Sequence, residues 1–387
     1  MAETAIIPAR DSRRVAEVST RVGGRHHFVP KTAALILYNL IVAFVVIESC
    51  FVVMLHVPRL TALTPTPFRR LIQQVYRHFN RSLIQFDPRC ARYDAGVSYT
   101  LEPGSCTFEN IEFKNVYRIN HAGLRDDQAA LDGPDMIVVG DSHAMGWGVE
   151  QDEAVPQLLA RKTGRKVLNA AVSSYGTVRE MLMLNRLDTS RLRVLVIQYS
   201  DNDLLENRAF QQAGGHLPIM SEAQYNNIVR HYASQRSYYP GKYLYRLFMK
   251  ITRLESPEPD QTRMEPVSAI EEAELFVNVL IHAARARLDG VQIVVFEINE
   301  QIRPARPFIA ALESVKLRQR NPEFIRRLKT IDVAPLLTPD DFYVLDDHMN
   351  RRGHEAVASA LAAKIRVPDS TTEDTEDRRK NPVRFQD

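Results

Sequence analysis

The feature that most constrains the fold is a series of short apolar segments after residue 135, separated by amphipathic ones. Several are rich in valine and isoleucine, and most lack the alternation of a half-buried strand. The five segments are MIVVG (136–140), KVLNAAV (166–172), RVLVIQYS (193–200), VQIVVFEI (291–298) and TIDVAPLL (330–337). The clearest helical pattern between them begins at a capping box of Ser268 and Glu271, and we expect it to end at Gly290. This alternation predicts an α/β domain with a mainly parallel sheet.

The composition is that of a globular protein with a large core. The chain has 387 residues, of which 45% are hydrophobic and 25% charged. Its formal net charge is only +3, and basic and acidic residues are interspersed. Nucleic-acid binding needs a concentrated basic face, so we expect no nucleic-acid partner.

One N-terminal segment is apolar enough to cross a membrane. Residues 33–57 are almost continuously apolar, which suffices for a hydrocarbon core of about 30 Å. A signal peptide is the alternative, but its apolar region would span about 7–15 residues before a small-residue cleavage site. We therefore expect one uncleaved transmembrane anchor. Asn39 and Glu48 lie inside it, where they either face a partner helix or are tolerated.

Flanking charge and cysteine usage indicate where the large domain lies. Basic residues are denser before the apolar segment than after it, which favours a cytoplasmic N-terminus. Cys90 and Cys106 are the only cysteines outside that segment, and they are either a disulfide pair or two free thiols. A pair closing a short loop is typical of an oxidising compartment. We expect a single-pass protein of the cell membrane whose C-terminal domain is periplasmic or extracellular.

Changes of composition divide the chain. The predicted parts are a disordered segment (1–30), the anchor (31–58), a connecting helix and turn-rich segment (59–114), an α/β domain (115–366) with an insertion (208–265), and a disordered tail (367–387). The amphipathic helix near 68–83 either lies on the membrane surface or packs on the domain. The tyrosine-rich insertion is either a lid or binding face, or a surface excursion packed by its own tyrosines.

Polar residues follow the predicted strands and should converge on one edge of the sheet. Ser142 follows the first strand, Asn202 follows the third, and Asp346 and His348 precede the last helix. A serine hydroxyl becomes a nucleophile when a base such as His348 takes its proton, and Asp346 would orient that imidazole. The Ser142 N–H, the Asn202 amide and an N–H of the turn at Ser174 are candidate oxyanion donors.

These motifs resemble those of the SGNH (GDSL-type) hydrolase superfamily, in particular membrane-anchored bacterial members linked to envelope polysaccharide modification. The matching stretches are GDSHAMGWGV, VLNAAVSSYGT, YSDNDLLEN and LDDHMNRRGH, with YRINHAGLRDD as the lead-in. The resemblance covers about residues 115–365. It implies a three-layer flavodoxin-like sandwich, here preceded by one transmembrane helix. It also implies a catalytic serine at Ser142, a His348–Asp346 pair, and oxyanion donors at Ser142, Ser174 and Asn202.

The chain departs from the family pattern at two positions. Ser174 stands where the family usually has the glycine whose N–H serves the oxyanion hole. The acid stands two residues before the histidine rather than three, so Asp347 remains an alternative partner for His348. Other residues near the motifs have both a functional and a structural interpretation: Asn120, Arg125, Asp141, His143, Trp147 and His354.

The sequence therefore predicts a membrane-anchored serine esterase or deacetylase acting through an acyl-enzyme. The expected substrate is an O-acyl group of an envelope or exported polysaccharide. An O-acyltransferase with the same triad, or a non-catalytic module that binds a glycan or a membrane-protein partner, is the alternative. We expect no cofactor, and no pair of histidines or cysteines has the spacing of metal ligands.

Overall fold

The computed structural model describes residues 31–235, 237–252, 267–299 and 307–365. The predicted disordered segment 1–30, the predicted tail 367–387 and part of the insertion lie outside the described residues. Contacts divide the chain into two compact units, residues 1–46 and residues 47–387.

The elements are given in chain order. The helices are α1 (Lys31–His56), α2 (Pro58–Ala62), α3 (Thr66–Phe79), α4 (Ser142–Met145), α5 (Val155–Thr163), α6 (Thr177–Leu184), α7 (Asp201–Gln212), α8 (Glu222–Gln235), α9 (Lys242–Ile251), α10 (Ala269–His282), α11 (Phe308–Lys316), α12 (Glu323–Arg326) and α13 (Arg351–Lys364). The strands are β1 (Ala91–Asp94), β2 (Ser98–Leu101), β3 (Gly104–Asn110), β4 (Phe113–Ile119), β5 (Met136–Val139), β6 (Val167–Asn169), β7 (Val194–Tyr199), β8 (Gln292–Glu297) and β9 (Lys329–Asp332).

The centre of the second unit is a parallel sheet of five strands in the order β6-β5-β7-β8-β9. Four of the five predicted apolar segments contain one of these strands, the fifth (330–337) overlaps β9, and every neighbouring pair is parallel. This is the flavodoxin-like order, in which the chain changes direction across the sheet between the first and third strands. The prediction of an α/β fold with a mainly parallel sheet is therefore confirmed. Strand β9 ends at Asp332 rather than near residue 337, because Pro335 has no N–H to donate to a ladder.

The sheet is buried on both faces. Ile137 and Val139 of β5 belong to a core with helices α6, α10 and α11, whereas Met136 and Val138 face a core with α5 and α13. Alternate residues of β5, β6, β7 and β8 thus enter different cores, which explains why these four strands are mainly apolar, whereas the edge strand β9 is only partly buried. The result is a three-layer α/β sandwich.

Helix α1 is long and apolar enough to cross a membrane, a property that an anchor shares with a signal sequence. Its last turns belong to the second unit, where Phe51 and Leu55 are buried in a cluster with Ile72, Val75 and Tyr76 of α3. The apolar face of α3 is therefore covered by protein. Of the two alternatives for this amphipathic helix, the structure has the one in which it packs on the domain.

Two local features complete the architecture. A disulfide joins Cys90, just before β1, to Cys106 in β3, with a Cα–Cα distance of 5.4 Å.

The helix expected to end at Gly290 ends instead at His282. The side chain of Asn185 donates to the Ala283 carbonyl at 2.8 Å and accepts the Arg285 N–H at 2.6 Å, so it binds the chain as it leaves the helix.

Candidate active site

A tight turn presents Ser142 at the carboxyl end of β5. Gly140 has a φ of 155°, and a Cβ there would lie 2.7 Å from both the Ala144 Cβ and the Gln198 Oε1, so only glycine fits. Asp141 then caps α4, because its Oδ1 accepts the His143 N–H at 2.8 Å. Asp141 thus has the structural role considered for it, and Ser142 is the first residue of the helix.

The structure brings Ser142, His348 and Asp346 into one hydrogen-bonded chain. The Ser142 Oγ lies 2.7 Å from the His348 Nε2, and the His348 Nδ1 lies 2.5 Å from the Asp346 Oδ1. All three side chains are buried, and Ser142 keeps 8% of its surface exposed. The two residues of the C-terminal motif reach a serine more than 200 positions earlier because their loop precedes α13 at the same edge of the sheet.

Both carboxylates next to His348 contact its ring. The Asp347 Oδ1 is 3.1 Å from the His348 Nδ1, farther than the Asp346 oxygen. Asp347 is also paired with Arg81 at 2.7 Å and with Arg77 at 3.3 Å, whereas Asp346 lies 3.9 Å from Arg81. The shorter contact and the weaker pairing favour Asp346 as the partner of His348, and Asp347 as a second charge beside it.

Two aromatic residues hold the other side of this pair. The Asp346 Oδ2 accepts the Tyr76 O–H at 3.0 Å and the Trp147 indole N–H at 3.3 Å. The Trp147 ring also stacks on the His348 ring at 4.6 Å, with 16° between the planes. Trp147 is therefore packed in the core and supports the histidine and its acid at the same time.

Burial and charge pull the pKa of His348 in opposite directions. Burial lowers it, but Asp346 and Asp347 together outweigh burial and raise the pKa of His348 to about 9. His143, whose ring lies 4.7 Å from that of His348, has a pKa lowered to about 4 by burial and by the charge of His348. The pKa of Asp347 is held well below its usual range by Arg81 and its other partners, despite burial. His348 is therefore the more basic of the two imidazoles, and His143 is the one that stays neutral.

The loop that carries the acid is held by a residue that sequence reasoning missed. Both oxygens of Glu112 accept backbone N–H groups, at 2.8 Å from Val344, 2.8 Å from Leu345 and 2.9 Å from Asp346. Glu112 lies between strands β3 and β4. No local pattern indicates that a residue at this position binds a loop 232 to 234 positions later.

The candidate oxyanion donors lie after β5, β6 and β7, around the point where the strand order reverses. Ser174 follows β6 with a φ of 58° and is solvent-exposed. This residue is therefore a serine in a backbone conformation that favours glycine. The Asn202 Nδ2 donates to the Tyr175 carbonyl at 2.9 Å, and its oxygen contacts the Ser200 hydroxyl. An amide nitrogen has two N–H groups, so one remains for a substrate.

Two further residues have structural roles, and a third is buried. Arg125 is fully buried and donates to the carbonyls of Gly146 and Val149, so it ties the lead-in segment to the turn after Ser142. Asn120 accepts the N–H groups of Ala122 and Leu124 and organises its own turn. His354, in α13, is buried with no hydrogen bond to its Nδ1 among the described residues.

The carboxylates and the histidine of the site also have the spacing of metal ligands. In the part of the chain that the structure describes, Asp346, Asp347 and His348 form one cluster whose ligand atoms lie within 4.8 Å of one another. Arg77 and Arg81 already pair with Asp347, and His348 already binds Asp346. These arginines supply the positive charge that a cation would otherwise bring.

Comparisons with known proteins gave structural neighbours only. No family model matches the chain, and no curated protein does. It is similar to a G-D-S-L family protein from Desulfitobacterium hafniense, named as lipolytic (9% identity, 60% of this chain and 99% of the other, TM-score 0.32). It is also similar to a lipase from a goat rumen metagenome (18%, 59% and 95%, 0.30) and a GDSL-like lipase from Bacteroides thetaiotaomicron (9%, 62% and 89%, 0.28). At these TM-scores the fold assignment rests on the sheet order itself.

Proposed function

We propose that this protein is a serine hydrolase of the SGNH type that cleaves acyl esters. The observation that carries the proposal is the chain from the Ser142 Oγ through His348 to Asp346, with contacts of 2.7 Å and 2.5 Å. A hydroxyl within reach of an imidazole that is itself oriented by a carboxylate is the arrangement that nucleophilic catalysis requires.

The first half of the reaction forms an acyl-enzyme. The Ser142 Oγ attacks the ester carbonyl carbon while the His348 Nε2 takes the hydroxyl proton, and the carbonyl electrons move onto the oxygen. The tetrahedral intermediate then collapses, the bond to the leaving alkoxide breaks, and His348 gives its proton to that oxygen. Asp346 stabilises the imidazolium in both steps without taking its proton.

The second half returns the enzyme to its starting state. Water attacks the acyl carbon, His348 takes the water proton, and the Ser142 oxygen leaves and is protonated by His348. The Ser142 N–H, the Ser174 N–H and the second N–H of Asn202 would stabilise the negative oxygen in both intermediates. A sugar hydroxyl in place of water would give an O-acyltransferase with the same residues.

Features outside the triad support the substrate class that we propose. An apolar N-terminal helix and a disulfide between Cys90 and Cys106 suit an enzyme held outside the cytoplasm. We therefore propose that the ester is an O-acyl group of a cell-envelope or exported polysaccharide. Release of acetate from O-acetylated glycans, compared with release from small soluble esters, measures this preference.

The direct test follows hydrolysis of a short-chain nitrophenyl ester by the full chain in detergent micelles. We expect Ser142→Ala and His348→Ala each to lose about 10³-fold or more of kcat. Ser190→Ala and His282→Ala, at exposed positions, are the matched controls and should retain activity. A folded wild-type protein that transfers the acyl group no faster than Ser142→Ala, whether to water or to a sugar, would leave only a binding role.

A further inference from the structure

The turn that carries Ser174 is held by side chains from several distant parts of the chain. The Ser173 carbonyl accepts the Tyr99 hydroxyl at 2.9 Å, and the Ser174 carbonyl accepts an Arg179 N–H at 2.8 Å. The next carbonyl, that of Tyr175, accepts the Asn202 amide. Among the described residues the Ser174 N–H has no hydrogen-bond partner, so the turn has its carbonyls bound and this donor available.

One side chain binds both hydroxyls of the turn. The Gln85 Nε2 donates to the Ser174 Oγ at 3.0 Å, and the Gln85 Oε1 accepts the Ser173 O–H at 3.0 Å. Gln85 is only 3% exposed, whereas Ser174 is solvent-exposed. The amide therefore reaches the turn from the protein side and leaves the other side open.

Gln85 is itself fixed from behind. It lies in the short helical turn Ile84–Phe86, and its carbonyl accepts the Tyr225 hydroxyl of α8 at 3.0 Å. The neighbouring Phe86 ring stacks on Tyr232 of the same helix at 5.2 Å, with 9° between the planes. Helix α8 belongs to the tyrosine-rich insertion, so these tyrosines pack on the support of the turn rather than on one another.

We propose that Gln85 is a positioning residue that holds the Ser174 N–H where an oxyanion forms, an inference that rests on the proposed function. A serine with a φ of 58° is in a backbone conformation that residues other than glycine rarely adopt. A turn of this kind relaxes unless other contacts hold it. The hydrogen bond from Gln85 to the Ser174 hydroxyl acts on the side chain that makes the conformation unfavourable. It thereby stabilises a conformation that a glycine would adopt without support.

The test measures how far the effect of Gln85 depends on Ser174. Gln85→Met keeps the side-chain length and removes both hydrogen bonds, and we expect kcat to fall about 30-fold, with KM within about twofold, because an oxyanion donor acts on the transition state. In a Ser174→Gly background the same substitution should cost at least about fivefold less, since glycine adopts a positive φ unaided. Gln151→Met, at another buried glutamine away from the turn, is the matched control.

A second variant guards against simple misfolding. Ser174→Ala keeps an L-residue at positive φ on the surface and removes only the hydroxyl that Gln85 binds, so it should reproduce the loss of kcat at an unchanged melting temperature. Hydrogen exchange of the peptide covering residues 172–178 should be faster in Gln85→Met than in the wild type, even without a substrate.

The outcomes separate this inference from the proposed function. An active wild-type enzyme in which Gln85→Met costs the same with Ser174 in place and in the Ser174→Gly background overturns the positioning role and leaves the hydrolase intact. A wild-type protein without Ser142-dependent hydrolysis overturns the hydrolase. In that case, unchanged exchange at residues 172–178 in Gln85→Met also overturns the support of the turn, and faster exchange upholds it.

Discussion

The two carboxylates beside His348 should have separable roles, and their amide variants test this directly. Asp346→Asn replaces the oxygen 2.5 Å from the His348 Nδ1 with an amide that favours the wrong tautomer of the ring. We expect a loss of about 10³ to 10⁴ in kcat, as for other triads deprived of their acid. Asp347→Asn leaves that contact in place and removes a charge 3.1 Å away.

The size of the Asp347 effect follows from its surroundings. Two unit charges at about 4 Å interact by about 4 kcal/mol at an effective dielectric constant near 20. Arg81 and Arg77 already offset much of the Asp347 charge, so we expect a net lowering of the His348 pKa by about 1 to 2 units, or about 1.4 to 2.7 kcal/mol. The pKa of about 9 would then become about 7 to 8.

The pH profile of kcat/KM measures this shift. The base must be neutral, so wild-type activity should rise about tenfold per pH unit up to about pH 9, where the inflection reports His348. In Asp347→Asn the inflection should move down by about 1 to 2 units, and activity near pH 7 should increase. Nitrophenyl ester hydrolysis between about pH 6 and 10 serves as the assay, with the rate of Ser142→Ala subtracted at each pH.

The control for the charge change is Asp340→Asn, at an exposed position in the same loop region, which should leave the profile unchanged. The reasoning would be refuted by an inflection in Asp347→Asn that stays at the wild-type pH. It would equally fail if Asp347→Asn lost more activity than Asp346→Asn, because the roles of the two carboxylates would then be exchanged.

Three further predictions concern Glu112, His354 and the disulfide. Glu112→Gln should lower kcat about tenfold, because a neutral amide is a weaker acceptor for the N–H groups of the Asp346 loop. A kcat equal to that of the wild type would show that the loop keeps its conformation without Glu112. Between about pH 6.5 and pH 5, the free energy of unfolding of the wild type should fall by about 2 kcal/mol more than that of His354→Leu. Burial and nearby positive charge lower the pKa of His354 to about 3, so only the unfolded wild type takes up this proton as pH falls. Replacing Cys90 and Cys106 by serine should lower the free energy of unfolding by about 3 kcal/mol in a denaturant titration, and a change below about 0.5 kcal/mol would mean that the loop is constrained without the bond.

Part of this site could be predicted because parallel strands end at one edge of their sheet. Ser142 and Asn202 follow strands β5 and β7, and the loop before α13 brings His348 to the same edge. Local patterns identify such strands, and sheet geometry then fixes which of their ends share an edge. The choice between Asp346 and Asp347 needed the structure, since adjacent residues of a loop differ only in where their side chains point.

The supports of the site could not be predicted, because each is a contact between distant segments without a local pattern. The local sequence pattern indicates only a hairpin turn at Glu112 and an apolar position of an amphipathic helix at Tyr76. Gln85 lies in a short helical turn whose sequence indicates neither a partner nor a role. Hydrophobic periodicity reports which face of an element is buried, but not which element covers it.

These supports all come from one part of the chain. Tyr76 and Arg81 contact the two carboxylates, Gln85 holds the turn at Ser174, and Glu112 holds the loop of Asp346. All four precede the first strand of the parallel sheet. The segment between the apolar helix and the α/β sandwich is therefore part of the catalytic apparatus that we propose, not a spacer.

The same segment is fixed at its other end by the apolar helix. Phe51 and Leu55 of α1 are buried against α3, the helix that carries Tyr76. A displacement of α3 would alter the hydrogen bond to Asp346 and the ion pairs of Asp347 together, because one helix and its C-terminal extension provide both. The geometry of the proposed acid pair thus depends on how the end of the apolar helix packs.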